Sequence, residues 1–216
     1  MDNNVPLAPV NFFQLSVDCH RLPSAGQGNF ALSLKNYTKY LLPDLSGLTG
    51  EDSFAQVALG WSIEGIELFA YIEESYIRTS YPNYDKGDSL ELCIDTRDVK
   101  TSGYNTRFCH HFYFLPETIE GFRGGEITKF RTEDSHELCN PVDLQVQSMF
   151  KKDYYIMQCA IPAHCLHGYD PEQFDRLGMT YRITRAGSPS QQFSVVAEEY
   201  KFQEQPSLWS SVKLIK

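Results

Sequence analysis

Apolar residues in this chain recur at every second position over short runs, and turn-forming residues close each run. The stretch 88–96 (DSLELCIDT) shows this most clearly. Leu90, Leu92 and Ile94 fall on one side of an extended chain, and Glu91, Cys93 and Asp95 on the other. A period of two over so short a length restricts the fold to sheet. Strands are predicted at 11–18, 54–62, 65–73, 88–96, 107–115, 126–132, 142–150, 153–161, 179–185, 191–197 and 210–215. About eleven short strands define an all-β, two-sheet antiparallel β-sandwich with very little helix. The four residues Ser62-Ile63-Glu64-Gly65 predict a hairpin, with Gly65 free to take a positive φ. Helix is confined to 162–177, opened by Pro162 and broken by Gly168 and Pro171.

The aromatic excess, 14 Phe and 13 Tyr in 216 residues, agrees with strands, whose pleated surface packs flat rings. No repeat or linker divides the chain, so a single domain over 1–216 is expected. Residues 1–50 hold a strand and a lid or edge in which Tyr37, Tyr40, Leu41 and Leu42 cover one end, and 51–216 form the core. A formal charge of -9 repels phosphate backbones and anionic lipid, so neither nucleic acid nor membrane is an expected partner. The N-terminal residues lack the basic and apolar regions of a secretory signal, which points to the cytoplasm. Six cysteines without Cys-x-x-Cys spacing then read as free, packed thiols.

Among chemistry-bearing residues, the strands 88–96 and 107–115 pair in a hairpin that brings Glu91, Asp95, Arg107 and His111 to one polar face. His110 and His111 point to opposite faces of a strand and do not share one ion. The cluster His164-Cys165-x-His167, with Cys159 before it, matches no structural zinc spacing and reads as a partly buried loop. Asp95 and Asp98 suit either a calcium ion at a strand end or a tight turn bonded by their own side chains. No nucleophile elbow, phosphate loop or dinucleotide fingerprint occurs, Gly124-Gly125 reads as a turn, and no catalytic constellation emerges.

Several blocks stand in a set order: Val57-Ala-Leu-Gly-Trp61, Gly87-Asp88-Ser-Leu-Glu91-Leu-Cys-Ile-Asp95-Thr-Arg, Ala160-Ile-Pro-Ala and Pro206-Ser-Leu-Trp209. Together they resemble the family 9 carbohydrate-binding modules of the wider DOMON-like, jelly-roll-type sandwiches, and most closely their stand-alone bacterial relatives. The resemblance implies a non-catalytic module that holds a small sugar or glycan end at a loop rim, between two aromatic rings and beside charged side chains. The family's clamp rings are tryptophans. Here the corresponding neighbourhoods hold Tyr81 and Tyr84, and Tyr200 and Phe202, while Trp61 and Trp209 read as core. Glu91 matches the family's polar sugar contact, with Arg107 and His111 beside it. Two alternatives remain: an intracellular protein-interaction sandwich, and a haem-binding electron carrier with axial ligands from Met149, Met157 or Met179 and His110 or His111. Core packing is the favoured reading of the methionines, and no cofactor is expected beyond the calcium alternative.

Overall fold

Each alternating run finds a neighbour that lets its apolar side turn inward. The computed structural model describes residues 14–24, 26, 28–194 and 201–216. Its strands are β1 (Ser16–Arg21), β2 (Ala55–Ser62), β3 (Gly65–Ile72), β4 (Ser89–Asp95), β5 (Cys109–Ile119) and β6 (Phe122–Glu126). They continue as β7 (Gln145–Phe150), β8 (Tyr155–Pro162), β9 (Arg176–Thr184), β10 (Gln191–Gln192) and β11 (Ser210–Ile215). Hydrogen bonds order them β6-β5-β4-β9-β11-β1-β2-β3-β8-β7, with β10 added on β9. Leu90, Leu92, Phe112 and Phe114 from one half share an apolar core with Leu59, Trp61, Ile66 and Leu68 from the other. That shared core makes the arrangement a β-sandwich.

The two halves are joined through β1, which pairs in parallel with both β11 and β2, while every other pairing between strands is antiparallel. The N-terminal strand is thus an interior seam of the sheet. At the opposite side, the Arg123 guanidinium on β6 donates to the Val146 carbonyl on β7 at 3.0 Å, so the outermost strands nearly close the sheet.

Residues 29–40 depart from the expected end cap. Leu32 and Tyr40 are buried on the outer face of β2, β3 and β8, against Ala58, Phe69 and Ile156. The Glu67 carboxylate fixes them there by accepting the backbone N–H groups of Ala31 and Leu32 at 3.1 and 2.8 Å. Leu42 reaches the main core, whereas Leu41 stays exposed.

The β2–β3 hairpin forms as predicted, with Gly65 at φ 142. Gly124 and Gly125 lie within β6 and not in a turn, because a Cβ at Gly125 would meet the Tyr113 ring at 2.9 Å. Their small size lets β6 close onto β5. The strand predicted at 126–132 accordingly ends at Glu126. The one predicted at 191–197 is observed only at Gln191–Gln192, and its last residues fall outside the described ones. The stretch 162–177 supplies a single 3-10 turn, Ala163–Cys165. No helix among the described residues is long and apolar enough to cross a membrane.

Candidate functional site

The outward-facing positions of β4, β5 and β9 meet where register places Glu91 opposite both Arg182 and Tyr113, with His111 one pair further along β5. Glu91 is fully buried there and holds two partners. One carboxylate oxygen accepts the Arg182 Nε and Nη2 groups at 2.7 and 2.5 Å, and the other lies 2.8 Å from His111 Nε2. A buried carboxylate is tolerable only with such pairing. Arg182 retains partial exposure, so the charged group offered to the outside is a guanidinium oriented from below.

Aromatic rings border this ion pair. Tyr84 stacks on Tyr113 with centroids 5.2 Å apart and planes 14° apart, Tyr81 lies 6.2 Å from Tyr113, and Phe122 follows 6.0 Å from Tyr81. Burial pushes the Tyr84 hydroxyl well above its usual range, helped by the Glu91 charge, and burial likewise raises Tyr113 to about 12. On the other flank the Arg182 guanidinium sits 4.7 Å over the Phe202 ring. Phe202 is held in an outer apolar cluster with Trp209, Cys93 and Cys109, and the Trp209 indole N–H donates to the Phe202 carbonyl at 2.7 Å.

The sequence reading is therefore reassembled in part. Glu91 and His111 do come together, and Tyr81 and Tyr84 do lie beside them. Arg107 does not join them: it precedes β5, is half exposed and pairs with Asp134, and Arg182 takes the place expected for it. Phe202 is 2% exposed and covered by Arg182, so it is not the second open ring of a clamp. Tyr200 lies outside the described residues. Both Asp95 oxygens accept backbone N–H groups, from Arg97 at 2.9 Å and Val99 at 2.7 Å, while Asp98 pairs with Lys100 and the Ser211 hydroxyl at 2.6 Å each. Those bonds are the turn arrangement, and they occupy the oxygens a calcium ion would need. Met157 and Met179 are buried in the core, Met149 packs beneath the N-terminal cover, and His110 and His111 are engaged by Glu126 and Glu91.

A second polar network escaped the sequence reading. Glu126, at the end of β6, accepts His110 Nδ1 at 2.9 Å, the Thr128 hydroxyl at 2.7 Å, His136 Nε2 at 2.8 Å and the Cys139 backbone N–H at 2.7 Å. Burial alone would raise its pKa, but these hydrogen bonds outweigh it and hold the carboxyl at about 2. Burial also lowers the His110 pKa, against the opposing pull of the Glu126 carboxylate that its Nδ1 faces. The network ties the loop 127–139 to the sheet.

No family model matches the chain, and no curated protein matches it. Solved structures do. A family 9 carbohydrate-binding module from Caldicellulosiruptor kristjanssonii in complex with glucose superposes with a TM-score of 0.63 at 10% identity, over 93% of this chain and 95% of that one. One from the same organism in complex with cellotriose gives 0.61 at 12% identity, over 92% and 93%. A candidate carbohydrate-binding protein from Bacteroides uniformis gives 0.60 at 8% identity, over 93% and 99%. The chain thus has the β-sandwich fold of the family 9 carbohydrate-binding modules.

Proposed function

We propose that the chain is a non-catalytic carbohydrate-binding module that takes a small sugar or glycan end at the surface formed by Tyr81, Tyr84 and Arg182, backed by the buried Tyr113. The observation that carries this reading is the buried Glu91 carboxylate, which orients an accessible guanidinium beside stacked tyrosines. Sugars present C–H faces that pack on aromatic rings and hydroxyls that accept charge-assisted hydrogen bonds. The solved modules with glucose and cellotriose add support from a shared fold. Glu91 acts by positioning Arg182 and His111, since no part of it is exposed.

A site of one ring pair and a few hydrogen bonds, less the cost of immobilising the ligand, corresponds to micromolar to millimolar affinity, roughly 4–8 kcal/mol. Isothermal titration against mono- and oligosaccharides tests this. Arg182→Ala and Tyr84→Ala are each expected to weaken binding at least about tenfold, the loss of roughly 1.4 kcal/mol. Absence of heat with every sugar, or unchanged affinity in both variants, overturns the reading.

A further inference from the structure

Away from that surface, two short turns face each other across a cleft of about 350 Å³ bordered by His136, Cys139, Asp143, His164, Cys165 and His167. The first is the 3-10 turn Pro141–Asp143, capped by the Asn140 side chain, which accepts the Val142 N–H at 3.3 Å. It presents Asp143 at its end, with Cys139 just before it. The second is Ala163–Cys165, which presents His164 and Cys165 together.

Asp143, His164 and Cys165 place one ligand atom each within 4.8 Å of one another. The Cys139 thiol adjoins the Cys165 thiol from outside that cluster and donates to the Asn140 carbonyl at 3.4 Å, so a turn of its side chain would bring in a fourth donor. Tetrahedral zinc, with bonds of about 2.0–2.3 Å, needs its donors about 3.3–3.8 Å apart. His164 Nε2 and Asp143 Oδ2 already stand 3.3 Å apart. Two thiolates, an imidazole and a carboxylate form a donor set that favours zinc over calcium or magnesium.

We infer that Cys139, Asp143, His164 and Cys165 bind a zinc ion that clamps the 139–143 loop to the turn after β8. The backbone is prepared for it from behind, because Glu126 accepts the Cys139 N–H at 2.7 Å and thereby fixes where that cysteine begins its reach. The other metal-capable group among the described residues, His110, Glu126 and His136, has its facing atoms already joined by hydrogen bonds and serves as this support. The sequence does not announce the site. Its ligands come as a Cys-x-x-x-Asp pair and a His-Cys pair from turns 20 or more positions apart, which no zinc-finger spacing resembles.

Cobalt(II) titration of the full chain, stripped with a chelator and kept reduced without oxygen, tests the assignment. One equivalent is expected to bind with a thiolate-to-cobalt charge-transfer band in the near ultraviolet and the visible bands of tetrahedral cobalt, both abolished by zinc. Cys139→Ser and Cys165→Ser are each expected to remove about half of the charge-transfer intensity, the four remaining buried thiols contributing none. His164→Ala is expected to weaken binding at least about tenfold. Its side chain is 67% exposed, so this variant folds whatever the cysteine variants do. Absence of the charge-transfer band in the unmodified protein overturns the site, as does a Cys139–Cys165 disulfide isolated in its place under reductant. So does a His164→Ala titration identical to that of the parent.

Discussion

Glu91 is a polar residue at a position whose burial equals that of the core, and the energetics of that choice fall on its two partners. Leaving either without an acceptor is costly, although Arg182 is partly exposed and recovers some hydration. Glu91→Ala is expected to lower unfolding stability by about 3 kcal/mol, at the lower end for a broken buried pair. Glu91→Gln should cost less, about 1–2 kcal/mol: its amide oxygen still accepts from Arg182, and its amide nitrogen can donate to His111 once that ring shifts its proton to Nδ1. Urea unfolding of the two variants checks the order. An alanine variant as stable as the glutamine one would mean the carboxylate carries no such burden. Glu91→Ala should lose sugar heat while folded, because Arg182 is no longer held in place, whereas Glu91→Gln, which still accepts from Arg182, should keep part of it.

At the level of elements, the hairpin β2–β3 shows what alternation and a turn glycine specify by themselves. A Cβ at Gly65 would sit 2.1 Å from the Ile161 carbonyl oxygen of the adjoining strand, at a φ of 142 that other residues rarely adopt. Gly65→Ala is expected to destabilise the protein by about 3 kcal/mol, measurable as a lowered midpoint in urea. The strand runs and the polar side of β4 were legible for the same reason: side-chain direction alternates whatever the partner. The partner itself was not legible. Glu91 and Arg182 are 91 positions apart, and only the order β4-β9 brings them together, although the alternation of Thr180, Arg182 and Thr184 marks a polar face on β9. Arg107 lay nearer in sequence and attracted the assignment, yet it stands before β5 begins. Phe202 misled in another way. Its place before the terminal Pro-Ser block suggested an open ring, but the Trp209 indole pulls its carbonyl down and Arg182 closes over it. Gly124-Gly125 resembled a turn because a strand glycine that admits a tyrosine ring leaves no local trace.

For the molecule as a whole, the decisive contact is the seam where β1 joins the two halves. The Trp61 indole N–H lies within hydrogen-bond distance of two carbonyl oxygens, Cys19 of β1 at 3.0 Å and Ile215 of β11 at 3.2 Å. Its ring is buried in the shared core, so one side chain links β2 to β1 and β11. Trp61→Phe removes the donor and part of the ring volume, and it is expected to cost about 2–3 kcal/mol. The same variant tests whether the sandwich unfolds as a unit. The chain has two tryptophans, so Trp209 alone remains to fluoresce, and it sits in the outer cluster of the opposite half. If the halves are cooperative through their common core, Trp209 fluorescence and far-ultraviolet circular dichroism will shift together to the same lower urea midpoint. Should the Trp209 signal keep the parent midpoint while dichroism falls earlier, the seam would be separable from the half that carries Glu91 and Arg182. Sugar affinity in the folded variant is expected to remain that of the parent, because Trp61 touches no part of that surface.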